Sequence, residues 1–194
     1  PGVREESTLP ALVASAMPSR PKKERTEAIR TLESLYAPVF HVDTVTADDH
    51  VGRPDWVQAP LGDGFDAVVE PGEPVVYTYP SWTFFAGAVR LQLNYVVWFP
   101  ARPSTGIFDL LAGNIDGITW RVTLDDDGQV LFGDAMHNCG CYHMVFPGPG
   151  VSRRPTGTQW EEPLLDLPGP NGGPLRLDPR RERIEIRIAA RTHY

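Results

Sequence analysis

The chain predicts a mainly β fold: a single antiparallel sandwich or open barrel carrying one N-terminal helix. Segments alternating apolar and polar residues recur at the strand period, and only one segment repeats convincingly at the helix period. The connections are rich in proline and glycine, with 20 and 18 residues respectively, which break regular structure. No strand–helix–strand alternation is visible, so a doubly wound parallel sheet is disfavoured.

Residues 1–21 mix Pro, Ser, Ala and charge without sustained periodicity, and are expected to form a partly packed tail ahead of one β-rich domain over 22–194. Glu24 to Tyr36 is the predicted helix. Ile29, Leu32, Leu35 and Tyr36 share one face while Arg25, Glu27, Arg30 and Glu33 share the other, and Pro38 ends the pattern. Val39 to Val45 reads as a strand with Val39, His41, Asp43 and Val45 on one side and Phe40, Val42 and Thr44 on the other. A polar, turn-like stretch through Asp48-Asp49-His50 leads on to Trp56, and 58–74 is predicted as a long surface loop.

Val75 to Tyr79 is a short strand running into the aromatic segment Tyr79 to Phe85. Ala88 to Phe99 is the longest strand signal. Its Val89, Leu91, Leu93, Tyr95, Val97 and Phe99 face the core, and the opposite side turns apolar at Val96 and Trp98. That change predicts a central strand covered on one side at first and on both sides later, ended by Pro100. A loop to Gly113 follows, with Phe108, Leu110 and Leu111 tucked in. Ile118 to Leu124 and Gln129 to Asp134 form the best hairpin, turned by Asp125-Asp126-Asp127-Gly128. That acidic turn lacks the spacing and terminal Glu of a calcium loop. Pro147 to Pro179 is a Pro/Gly-rich excursion with a short strand near Leu175 to Leu177, and Arg183 to Arg191 is the last strand, with Ile184, Ile186 and Ile188 inward.

The candidate site is His137-Asn138-Cys139-Gly140-Cys141-Tyr142-His143, which holds both cysteines of the protein and two of its five histidines. His, Cys, Cys and His recur at every second position, so a straight strand would put all four on one face, yet spread over about 20 Å at ~3.3 Å per residue. One ion cannot span that, because its ligands converge to ~2.0–2.3 Å. The chain must bend, and Gly140 is where it can. A turn there would gather Cys139, Cys141 and one imidazole. His143 is expected as that ligand, with His137 held in an outer position by Asp134. Paired thiolates with imidazole suit Zn(II) or Cu(I). Two other readings stand beside this one: a strained Cys139–Cys141 disulfide, or two small buried thiols next to satisfied histidines. His41, Asp43 and His193 are alternative ligands or outer-shell partners.

What composition excludes is broader. A net charge of −7 with only two lysines argues against a nucleic-acid surface, and the arginines of Arg153-Arg154 and Arg180-Arg181 read as a solvated loop face. No apolar run approaches the ~20 residues of a membrane helix. Signatures of dinucleotide and phosphate loops, zincins, hydrolase elbows and zinc ribbons are absent.

The start at Pro1 reads as a processed or trimmed end. A periplasmic or extracellular location is therefore favoured over the cytoplasm, with which the thiol pair is also compatible. The natural chain is expected to continue past Tyr194. The leading expectation is a metal-binding β protein that uses Zn or Cu for hydrolysis or copper handling, its partner a small molecule or ion. The rival is a non-catalytic exported binding module with Cys139 and Cys141 oxidised and Tyr77, Tyr79, Trp82 and Phe84 as its contact surface.

Overall fold

A computed structural model describes residues 7–60, 62–104, 112–152, 165–166, 168–169 and 172–193. Strand outweighs helix, 43% to 16%, and the sheet is not closed into a barrel, so the predicted mainly β class holds. Phe108, Leu110, Leu111 and Arg153-Arg154 lie outside the described residues.

Two helices open the fold where one was expected. α1 (Leu9–Ala16) is eight residues long and buries Leu12, Val13 and Ala16. It stops where Met17, which precedes Pro18, turns extended at ψ 150°. So short a helix is marginal alone, and its packing on α2 (Lys22–Leu35) sustains it. α2 buries Ala28, Ile29 and Leu32, close to the predicted face.

The main sheet runs in the order β4 (Tyr77–Phe85), β5 (Ala88–Arg102), β6 (Gly113–Leu124), β7 (Val130–His137), β8 (Met144–Pro147) and β9 (Leu165–Asp166). All neighbours are antiparallel except β8 and β9. The β6–β7 hairpin is the predicted one. Gly128 takes φ 78° at its turn, with its N–H donating to the Asp125 carbonyl at 3.1 Å. The buried Tyr36 hydroxyl donates to the Gly128 carbonyl, which docks the end of α2 on this turn.

Strand alternation gives the sheet two faces. On the front, Leu91, Leu93, Tyr95, Trp120, Val122 and Ala135 meet α1 and α2 in one core. Fully burying an apolar side chain of this kind contributes about 1.5–3 kcal/mol. Further along the same face, Val97, Phe99 and Ile118 form a second core with Ile188. Ile188 belongs to β10 (Glu185–Ile188), which pairs in parallel with β1 (Val39–Val42). Phe40 and Val42 are the more buried side of β1. On the back, β2 (Arg53–Gln58) and β3 (Phe65–Glu70) form a hairpin that crosses β5 and β6. Residues 94–97 of β5 are consequently buried on both faces, as its composition implied.

The 53–70 hairpin replaces much of the predicted 58–74 loop. Every β2 residue is exposed, so no buried face imposed an alternating pattern on the sequence. β5 continues through Pro100 because the ladder is irregular there: Phe99 pairs with Asp116 and Ala101 with Asn114, while the intervening Ile115 is left-handed at φ 65°. A proline at such an irregularity removes no ladder bond. Around Leu175 no strand forms, and Leu175 is instead a buried core residue.

Trp120 lies across Gly133 on the neighbouring strand, so closely that a Cβ at 133 would fall 2.5 Å from the indole, with Leu175 2.9 Å away. The indole is a rigid ring, and both neighbours are buried in the core. Gly133→Ala is therefore expected to destabilise the fold by roughly 1–3 kcal/mol, read as a lower urea midpoint at unchanged slope. An unchanged midpoint would show that the indole does not pack there.

Candidate functional site

The cysteine stretch is the β7–β8 connection, and its turn falls where glycine permits. Gly140 is left-handed at φ 89°, and its N–H donates to the His137 carbonyl at 2.7 Å. The His137 N–H in turn donates to the Cys141 carbonyl at 3.1 Å, and Tyr142 adds a second left-handed residue at φ 55°. Asn138 anchors the loop. Its N–H donates to the Gly117 carbonyl at 2.8 Å and its side chain accepts from Thr119 Oγ1 at 2.7 Å. A Cβ at 117 would collide with the Asn138 amide, so Gly117 on β6 makes this seating possible. Cys139 is exposed, Cys141 is half-buried, and no disulfide joins them.

The two histidines of the motif go to opposite faces of the sheet. His137 is register partner of Ile118 and shares its front face. His143 follows the left-handed Tyr142 and lies on the back beside Asp134, its Nε2 3.6 Å from Asp134 Oδ2. That separation is too long for a hydrogen bond. Asp134 itself is almost fully buried and is gripped by Arg121, Nε to Oδ1 at 2.7 Å and Nη2 to Oδ2 at 3.2 Å. The expected pairing of Asp134 with His137 is thus not the one formed. An offset of three residues along a strand places two side chains on opposite faces.

His137 has a different carboxylate. Its Nδ1 lies 3.3 Å from Asp116 Oδ1, and Nδ1 of His193 lies 2.8 Å from Asp116 Oδ2. His193 is wholly buried, stacks on Phe99 with centroids 3.9 Å apart, and turns its Nε2 to within 3.4 Å of Asp49 Oδ1. A chain of four groups results, Asp49, His193, Asp116 and His137, drawn from four separate parts of the sequence. Burial alone would raise the Asp116 carboxyl, but donation by His137, His193 and the Gly117 N–H outweighs it and holds the group well below the usual carboxylate range. Asp49 behaves likewise. Its burial is outweighed by N–H donation from Arg191, Thr46 and Val45 and by the Thr46 hydroxyl. An ionised carboxylate only accepts, so an imidazole nitrogen that bonds Asp116 does so through an N–H. Arg191 and His193 are held left-handed at φ 66° and 54°, a cost of about 1–3 kcal/mol each that such contacts must sustain.

The other candidates lie elsewhere. His41 meets Glu185 at 3.7 Å and Asp43 pairs with Arg187 at 3.1 Å, both at the surface of the β1–β10 pair. Alternation along β4 divides the aromatic segment. Tyr77 and Tyr79 are exposed on the back, whereas Trp82 packs against the front core and Phe84 projects from that same side, 74% exposed. The four do not form one contact surface. Among the described residues no three His, Cys, Asp or Glu side chains are grouped so as to hold a metal ion, and no helix is long and apolar enough to cross a membrane.

Comparison with protein families, characterised proteins and solved structures yields no match.

Sequence reasoning missed Asp116, Arg121 and Gly117, and did not select Asp49 from its polar stretch. Asp116 and Arg121 sit on the predicted strand or just before it, and pairing of that strand with 130–137 was foreseeable. Register parity could have offered Arg121 to Asp134, but nothing local reveals that Asp116 meets His193, 77 residues away.

Acid stability tests the carboxylate network. Both Asp49 and Asp116 have folded-state values depressed below the ~3.9 of an unfolded Asp. Their contribution is therefore fully present above that value and is lost as pH falls below about 4. Asp116→Asn should lose roughly 1.5–3 kcal/mol at pH 7 and show a shallower decline between about pH 5 and 2. Parallel curves for variant and wild type would refute the depressed carboxyl.

Proposed function

We propose that the β7–β8 loop binds a soft metal ion, Zn(II) or Cu(I), through Cys139, Cys141 and His143. The observation that favours this is the setting of His143: its Nε2 faces a buried carboxylate, Asp134, that Arg121 clamps with two hydrogen bonds. A carboxylate behind one ring nitrogen orients an imidazole and raises its basicity toward an ion at the other. Both thiols sit on the same accessible connection, around a left-handed glycine. Closing them on His143 requires rearrangement of a short loop and leaves the sheet in place. His137 is not included among the ligands, since its ring is buried on the front of the sheet while His143 lies on the back.

Three protein ligands leave one position open for water or substrate, which suits Lewis-acid hydrolysis or transfer of copper to a partner. Zn(II) titration under a competing chelator is expected to show His143→Ala and the Cys139→Ser/Cys141→Ser pair abolishing tight binding, and Asp134→Asn weakening it by about 10–100-fold. His137→Ala should instead lower stability and change affinity less than Asp134→Asn does. Wild-type and double-serine proteins with equal, near-zero metal content would end the proposal.

The rival, an exported binding module, draws support from Tyr77 and Tyr79, 38% and 48% exposed on an edge strand. Mass spectrometry of the unreduced protein separates the two, because a disulfide lowers the mass by about two daltons and a thiolate-bound ion requires both sulfurs reduced. Metal binding requires the full reduced mass.

A further inference from the structure

Between the front of the main sheet and the β1–β10 pair lies a cavity of about 1050 Å³, partly open to solvent. Its sheet wall includes Trp120, Met144 and Phe146, and its opposite wall includes Leu177, Ile184 and Ile186. β10 turns its isoleucines inward by strand alternation, yet Ile186 and the preceding Ile184 remain only partly buried, whereas Ile188 at the far end is fully buried against Phe99 and Ile118. The two layers therefore close tightly at one end and stand apart at the other. Protein interiors normally close to crystal-like density, and a space of this size is at the upper end of small-molecule sites, which are likewise mostly apolar with few polar groups. Water inside it would find few partners.

The charges at its margin indicate what enters. Arg183 donates to the carbonyls of Leu35, Pro179 and Glu182, and Arg187 pairs with Asp43. Glu185 faces His41, and the Glu182 carboxylate accepts the Asp178 N–H. Arg176 lines the cavity and is exposed, and among the described residues it makes none of these engagements. Among the described residues at the rim, Arg176 is thus the charged side chain that neither a hydrogen bond nor an ion pair engages.

We propose that this cavity binds an amphipathic monocarboxylate, its acyl chain lying between the sheet and β10 and its carboxylate meeting Arg176. The site is separate from the thiol loop and does not depend on metal. A guanidinium suits a carboxylate because its planar donors match the two oxygens, while the apolar walls gain from every methylene taken out of water.

Isothermal titration of the full, chelator-treated chain with dodecanoate tests this below the concentration at which the ligand forms micelles. One molecule per chain is expected to bind. Arg176→Gln should weaken dodecanoate about ten-fold, the scale of one charge-assisted contact, and leave 1-dodecanol unchanged. Ile186→Trp, which fills the space, should abolish both, with circular dichroism reporting that the variant is folded. Leu177→Trp fills it from another position should Ile186→Trp fail to fold. No saturable binding by the wild type, many molecules per chain, unchanged binding in a folded cavity-filled variant, or equal loss of acid and alcohol in Arg176→Gln would each overturn the proposal. Because metal has been removed, failure here leaves the thiol-loop reading to its own titration.

Discussion

One carboxylate ties the far-separated parts of this chain together. Asp116 stands at the irregular start of the long β6 ladder and holds an imidazole on each oxygen, His137 from the neighbouring strand and His193 from the segment after β10. Through His193 the connection extends to Asp49, which caps its own 3-10 turn and receives the Arg191 N–H. Buried charges cost several kcal/mol when unpaired, so each member of this chain constrains the placement of the next. The parallel β1–β10 pair depends on it most. Two strands alone are marginal, and the Ile188 core together with the Asp49–His193–Asp116 connection fastens this pair to the main sheet at the same end.

That fastening explains why the two layers part at the other end. Ile188 is packed against Phe99 and Ile118, next to the carboxylate network, while Ile184 and Ile186 face the space between the sheet and this pair. A cavity bounded by a ladder on one side and an anchored strand pair on the other can persist where a loosely attached layer would collapse onto the sheet. The thiol loop uses the same sheet differently. It leaves β7 after His137, is seated by Asn138 over Gly117, and returns as β8, so its tip is short while its base is set by paired strands.

The motif's alternation was visible from the start, but it described a straight strand that does not occur. Two left-handed residues, Gly140 and Tyr142, interrupt the count between the histidines, and the register then sends His137 forward to Asp116 and His143 back to Asp134 and Arg121. The glycine turn was legible because only glycine adopts that conformation without a Cβ penalty. Tyr142 was not, since nothing about a tyrosine announces a positive φ. In the same way the aromatic segment of β4 looked like one patch in one dimension, and period-two alternation divided it between two faces.

The sequence by itself determined the mainly β class, the 24–36 helix and the core face it buries, the 118–134 hairpin with its acidic turn, the two-sided burial of the central strand, and the presence of a turn at Gly140. Each of these rests on local periodicity or on a residue with a special backbone preference. Tertiary structure alone decided the α1 helix, the exposed 53–70 hairpin, the parallel pairing of β1 with β10, the passage of β5 through Pro100, and the partners of both histidines. In those cases the stabilising groups lie far apart along the chain, as Asp116 and His193 do, or the segment has no buried face to pattern its composition, as in β2. Hydrophobic period records which side of an element is inward, whereas the identity of the neighbour waiting there is set only when separate elements pack.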